Sequence, residues 1–166
     1  MRPFDPELVA EWREDVVREA RSWVGTSYHT KGFVKGAGAD CFTFMASVFI
    51  EQGLFSFEDL DLPPYHEDWW ANVAEDEYRK LLLRRANKMY DAVTYPSTNV
   101  LPGNIITQKR PDGKVNWHGA IVTSWPLAVH AIAPAIEEVD VSRDPFWAFK
   151  QIEIFDPWER LKNDRR

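Results

Sequence analysis

The residues before Gly25 alternate apolar and polar positions with the period of an α-helix. The apolar positions recur every three or four residues up to Gly25, and they are Leu8, Trp12, Val16, Ala20 and Trp23. With Asp5 and Pro6 as a cap and a first-turn proline, this pattern predicts an amphipathic helix over 6–24. From Cys41 to Gln52 almost every position is apolar, behind Asp40 as a cap and ahead of Gly53. This second run predicts a buried helix.

The segments before and after the second helix have different residue patterns. Four glycines in residues 25–40 exclude a helix or a central strand there and predict a surface loop. Residues 54–73 have no period, whereas 75–93 regain helical spacing. We therefore expect a loop and then a third helix.

After Pro96 the pattern changes to short β-like runs separated by turn residues. The runs read NIITQ, WHGAIVT, LAVHAIA, IEEVDV and FKQIEIF, with a PDG turn at Pro111 to Gly113 between the first two. Helices followed by strands predict an α+β fold, in which N-terminal helices pack on a central antiparallel sheet. We expect one domain over 1–166, with 54–95 as a loop-and-helix insertion.

Composition and charge narrow the possible partners. A chain of 166 residues, 45% hydrophobic and 28% charged, fits a globular domain. A net charge of -6 gives no basic surface for nucleic acid. The apolar runs are too short to cross a bilayer, and acidic residues stand where an export signal needs an apolar core, so we expect neither feature.

The sequence also gives little support for a disulfide bond or a metal-binding site. One cysteine excludes an internal disulfide and a multi-cysteine zinc site. The adjacent His66, Glu67 and Asp68, within YHEDWW, lack the spacing of a defined site. We expect no metal and no cofactor. We expect His29 to be a solvated loop residue, with a substrate contact beside Tyr28 as the alternative.

The single cysteine, Cys41, stands at the predicted first turn of the buried helix. A helix N-terminus stabilises a thiolate, which makes Cys41 a candidate nucleophile. The alternative is a small core residue, because free cysteine is among the most buried residue types.

Two histidines, His118 and His130, lie on successive predicted strands joined by a short turn. A turn centred on Ser124 makes them direct cross-strand partners, with Cβ atoms about 4.5–5.5 Å apart on one face. A slip of one residue would send them to opposite faces, leaving two unrelated strand histidines. Thiol, histidine and a polar group that orients the histidine together match the general pattern of an activated nucleophile.

Five short blocks also resemble, in order and spacing, the NlpC family of papain-like cell-wall cysteine peptidases. They are WVGTSY at 23–28, GADC at 38–41, LPGN at 101–104, HGAIV at 118–122 and VHA at 129–131. The resemblance implies a papain-like fold, with Cys41 as nucleophile, His118 as general base and His130 as the residue that orients the base. In the implied reaction the Cys41 thiolate, paired with a protonated His118, attacks an amide carbonyl.

The same resemblance assigns two residues to substrate binding. Tyr28 would line the cleft and help to stabilise the oxyanion together with backbone N–H groups at the helix start, and Asp40 would border the site. The alternative for Tyr28 is an ordinary core tyrosine. The alternative for Asp40 is a helix cap, and Asp40 can be a cap and contact substrate at the same time. The sequence departs from the family pattern at three places, which bear on substrate preference: Ser27 for Pro, Phe42-Thr43 for Ser-Gly, and Asn104 for Asp.

The implied substrate is the peptide stem of bacterial peptidoglycan, cut next to γ-D-glutamyl residues. The similarity is greatest to compact members carried by phages, prophages and gene-transfer particles, so tail proteins are expected partners and delivery with the tail is expected. A cytosolic enzyme that recycles muropeptides would show the same features. Two alternatives remain open: a Cys/His amidase completed by Glu137 or Glu138, and a non-catalytic tail assembly module.

Overall fold

The computed structural model describes residues 5–58, 79–80, 82–83, 87–92, 99–110, 114–147 and 151–158. Its helices are a 3-10 turn at Pro6–Leu8, α1 at Val9–Ser22 and α2 at Cys41–Glu51, and residues 79–80 and 82–83 are also helical. Its strands are β1 Phe33–Val34, β2 Gly38–Ala39, β3 Asn87–Ala92, β4 Ile105–Lys109, β5 Asn116–Ser124, β6 Leu127–Ile132, β7 Ala135–Asp140 and β8 Ile152–Asp156.

Both predicted N-terminal helices are confirmed. The Asp5 side chain accepts a 2.9 Å hydrogen bond from the Glu7 N–H, so the cap holds as expected, although the first turn is 3-10 rather than α. One face of α1 is buried, whereas α2 is buried on nearly every side. The apolar pattern therefore distinguishes a surface helix from a core helix.

A six-stranded antiparallel sheet in the order β3-β8-β4-β5-β6-β7 forms the centre of the fold. The five predicted strand runs correspond to β4 to β8. α1 and α2 cover one face, where Phe44 and Val48 pack in one apolar cluster with Ile121 and Val129. A second cluster on the other face includes Ala120, Val122, Ala128 and Trp147. The predicted α+β fold is confirmed.

The prediction of a helix over 75–93 is wrong from residue 87 onwards. Residues 87–92 form β3, an edge strand that pairs antiparallel with β8. Local spacing cannot reveal this pairing, because the strand is stabilised by a partner 60 to 69 residues away in sequence. The loop over 25–40 also contains a small hairpin of β1 and β2. The PDG turn and the YHEDWW stretch lie outside the described residues.

Candidate active site

Cys41 is the first residue of α2, as predicted, and 9% of it is exposed. Its helix start is fixed by a capping box: Asp40 Oδ1 accepts hydrogen bonds from the backbone N–H groups of Phe42 at 3.0 Å and Thr43 at 2.9 Å. The Thr43 hydroxyl lies 2.9 Å from the Asp40 N–H and accepts from it. The thiol is thus held at a rigid, positively polarised helix end.

Asp40 also fastens the glycine-rich loop to α2. Its second oxygen, Oδ2, accepts a 2.8 Å hydrogen bond from the Lys31 N–H, and the residue is only 4% exposed. The cap role is therefore observed, whereas the substrate contact stays a prediction. Because the Phe42 and Thr43 N–H groups donate to Asp40, two of the helix-start donors expected for an oxyanion are already engaged.

His118 and His130 meet, but not in the predicted register. Ala120, not His118, is the cross-strand partner of His130, and a bulge lies between Val122 and Ser124. The predicted register is wrong by two residues, and an even shift keeps both side chains on one face. Nε2 of His118 lies 2.9 Å from Nδ1 of His130, with the rings nearly perpendicular at 88°. The rings therefore reach each other diagonally rather than directly across.

An aromatic pair that the sequence analysis does not identify encloses the two imidazoles. Phe146 contacts the His118 ring edge-on at 4.8 Å between centroids, and Trp147 lies 5.7 Å from the His130 ring. The Trp147 indole N–H donates to Nδ1 of His130 at 3.2 Å. Only the turn-forming Asp144 ahead of them hints at this arrangement in the sequence, since its Oδ1 accepts from both backbone N–H groups.

The two glutamates of the amidase alternative do not contact His118 in the structure. Glu137 is the cross-strand partner of His130, and its Oε1 lies 3.5 Å from Nε2 of His130. That separation is at the outer limit of a hydrogen bond, and the buried Nε2 makes no hydrogen bond among the described residues. Glu138 instead accepts from Thr123 and from Arg21.

Burial keeps both imidazoles uncharged at neutral pH. Desolvation, reinforced by the neighbouring His130, lowers the pKa of His118 well below its ordinary value. Desolvation also lowers the pKa of His130 to about 4, although the negative charge of Asp144 acts in the opposite direction and raises it. Each ring therefore carries one N–H and one lone pair, and can both donate and accept a proton.

Cys41 and His118 lie at the same end of the sheet. The Tyr28 N–H donates to Pro134 O at 2.8 Å, and Tyr28 bridges to Ala39, two residues before Cys41. Pro134 lies in the turn between β6 and β7, and the antiparallel register puts the end of β6 beside the start of β5, where His118 lies. The start of α2 is thereby connected to the strand ends that carry His118.

The thiol and the imidazoles belong to different sides of that sheet end. Cys41 is part of the helix-side cluster. The histidines contact Phe146 and Trp147, and Trp147 belongs to the cluster on the opposite face. A contact between Sγ and the His118 ring would have to occur around the strand ends, where the sheet no longer separates its two faces.

The remaining predicted residues lie nearby in the fold. Tyr28 is half-buried and packs against the cluster that contains Cys41. His29 is exposed, and its Nδ1 lies 3.1 Å from Thr30 O. Asn104 is fully buried, and its side-chain amide donates to Asp156 at 3.1 Å. An aspartate at this position would lose that donated hydrogen bond and set a second carboxylate beside Asp156, whose Oδ2 also pairs with Arg13 at 2.6 Å.

Two structural findings concern metals and membranes. In the part of the chain that the structure describes, no three His, Cys, Asp or Glu side chains gather as metal ligands would. Among those same described residues, no helix combines the length and apolar character required to span a bilayer.

No protein-family model and no curated protein matches the sequence. Among solved structures, the chain is similar to NlpC1 from Trichomonas vaginalis, with TM-score 0.58 and 15% identity over 88% of this chain and 44% of that one. It is also similar to the NlpC/p60 domain of the peptidoglycan hydrolase SagA, with TM-score 0.51 and 17% identity over 86% and 97%.

A Staphylococcus aureus protein described as similar to a lipoprotein of the NLP/P60 family gives TM-score 0.54 and 18% identity over 94% of this chain and 43% of that one. The chain spans less than half the length of this protein and of the Trichomonas protein. At such identities the similarity concerns architecture. The chain therefore has the α+β fold seen in NlpC/p60 proteins.

Proposed function

We propose that this chain is a cysteine peptidase that hydrolyses an amide bond in the peptide stem of peptidoglycan. Cys41 is the nucleophile, His118 the general base and His130 the residue that orients it. The observation that supports this most is the buried 2.9 Å hydrogen bond between the two imidazoles, at the end of the sheet where α2 begins. The fold adds support, because one structural neighbour is a peptidoglycan hydrolase.

In the proposed reaction the resting site is a neutral thiol beside a neutral imidazole. The lowered pKa of His118 favours this state over the thiolate and imidazolium pair expected from the family resemblance. His118 accepts the thiol proton as Sγ of Cys41 attacks the carbonyl carbon, and it then gives that proton to the leaving amine. Water attacks the thioester while His118 removes its proton, which releases the carboxylate and restores the thiol.

The oxyanion requires donors other than the engaged Phe42 and Thr43 N–H groups. We assign them to the Cys41 N–H and the Tyr28 hydroxyl, because Tyr28 packs against the cluster that contains Cys41. Loss of one such donor in acyl-transfer enzymes costs about 10²–10³ in rate. Tyr28→Phe should therefore lower kcat by about that factor.

The choice of His130 over a glutamate rests on contacts. His130 is hydrogen-bonded to His118, whereas Glu137 faces His130 and Glu138 is engaged by Arg21 and Thr123. Activity that survives His130→Ala but is lost in Glu137→Gln or Glu138→Gln would reverse the choice. Cleavage next to γ-D-glutamyl residues and association with a phage tail remain finer predictions, and mass spectrometry of products and of purified particles tests them.

The decisive experiment incubates purified muropeptides with the native protein, Cys41→Ala and His118→Ala, followed by mass spectrometry. His29→Ala is the matched control, since this exposed histidine stands in the loop before α2. We expect fragments that add up to substrate plus one water for the native protein and His29→Ala, and none for the other two. Fragments from Cys41→Ala would eliminate the proposal, and no fragments from any protein would favour a non-catalytic module.

A further inference from the structure

Nδ1 of His130 has two neighbours that compete to set its protonation. Nε2 of His118 lies 2.9 Å away and the indole Nε1 of Trp147 lies 3.2 Å away. All three side chains are buried, with Trp147 fully so. No bulk water is available to replace either contact, so the protonation of these rings depends on their hydrogen-bond partners.

The chemistry of indole decides the direction of these bonds. An indole N–H is only a donor, so Nδ1 of His130 must accept and must carry no proton. The proton of the neutral His130 is then on Nε2, and His118 must carry its own proton on Nε2, so that this N–H shares the single lone pair of Nδ1 with the indole N–H. The lone pair of His118 is left on its Nδ1, where it can act as a base.

A pair of imidazoles alone would not make this choice. In the reversed arrangement Nδ1–H of His130 donates to Nε2 of His118, and the proton of His118 moves to Nδ1. Both arrangements contain one hydrogen bond between the rings, so the two arrangements differ little in free energy. The carboxylate of Glu137, 3.5 Å from Nε2 of His130, favours the same arrangement as Trp147, because a carboxylate only accepts.

We propose that Trp147 is a positioning residue that sets the tautomers of both histidines through its indole N–H. This inference rests on the proposed function for its consequence, which is that the base nitrogen of His118 stays available to the thiol. The turn that carries Trp147 is itself held in place, because Asp144 Oδ1 accepts from the Phe146 N–H at 2.9 Å and from the Trp147 N–H at 3.3 Å.

The first test observes the tautomers directly. Nitrogen NMR of protein labelled with ¹⁵N-histidine at pH 7 distinguishes protonated from unprotonated ring nitrogens. We expect the native protein to have Nδ1 of His130 unprotonated and Trp147→Phe to gain the Nδ1–H form. The control is Trp117→Phe, which removes an indole N–H beside His118 that bonds to neither imidazole. Unchanged tautomers in Trp147→Phe would overturn the inference, whether or not the protein hydrolyses muropeptides.

The second test is kinetic and separates positioning from packing. Removal of an outer hydrogen bond that orients a metal-ligating histidine costs about 10–100-fold, and by analogy we expect a loss of that size in kcat for Trp147→Phe with KM little changed. His130→Asp replaces the imidazole by a pure acceptor, so His118 keeps its working tautomer without help. In that background Trp147→Phe should cost far less, whereas equal losses in both backgrounds would mean that Trp147 acts only by packing.

Discussion

The buried histidines should make folding stability depend on pH in a specific way. Burial lowers the pKa of His130 from 6.5 to about 4 in the folded protein, whereas the unfolded chain retains the ordinary value. As the pH falls below 6.5, His130 binds a proton in the unfolded state but not in the folded state. The free energy of unfolding therefore decreases until the pH reaches about 4. At 1.36 kcal/mol per pH unit this costs about 2 kcal/mol at pH 5.

His118 contributes with the same sign, because its pKa is also lowered. Substituting Asn for His130 removes one titrating group and leaves the other. We therefore expect the decrease in unfolding free energy between pH 7 and pH 5, measured by urea denaturation, to be smaller by about 2 kcal/mol in His130→Asn than in the native protein. The comparison between proteins cancels the carboxylates that both share. Equal decreases in the two would refute the reasoning.

Two further predictions concern the scaffold of the site. Asp40→Ala removes the acceptor of the Phe42 and Thr43 N–H groups and should lower the free energy of unfolding by about 1–2 kcal/mol in urea denaturation; an unchanged value would mean that the cap is not required. Asn104→Asp replaces a donor to Asp156 by a carboxylate and should lower the thermal midpoint at pH 7 relative to the native protein, with a smaller difference at acidic pH, where the pair is neutralised; equal midpoints at pH 7 would contradict this reasoning.

The helices and the central strands could be predicted because their signals are local. A cap, a first-turn proline and a 3.6-residue period define α1, and a continuous apolar run behind Asp40 defines α2. The strand runs after Pro96 alternate or are fully apolar, as strands buried on one or both faces should be. Each of these features depends on residues a few positions apart.

The errors concern interactions between distant segments. β3 is formed by pairing with β8, which helical spacing within 75–93 cannot show. The histidine register differs from the predicted one because the turn between β5 and β6 lies after Ser124, which itself faces Leu127, and the bulge between Val122 and Ser124 then takes back one residue of that displacement. The shift was even, so the two imidazoles still meet, although by diagonal rather than direct pairing.

The role of Trp147 could not be anticipated for a similar reason. Trp147 lies seventeen residues after His130, beyond a turn, and nothing in this spacing links it to that histidine. Only the folded chain brings its indole N–H to the imidazole. Residues that bind through a single buried hydrogen bond are in general the part of a site that sequence patterns do not reveal.

The most direct measurement is the rate at which a small electrophile alkylates Cys41 at pH 7. Because His118 is proposed to remove the thiol proton, iodoacetamide should modify Cys41 at least about 10²-fold faster in the native protein than in His118→Ala, a typical contribution of general base catalysis. The exposed His29→Ala should match the native rate. Equal rates in all three folded proteins would mean that the sulfur and the imidazole do not work together.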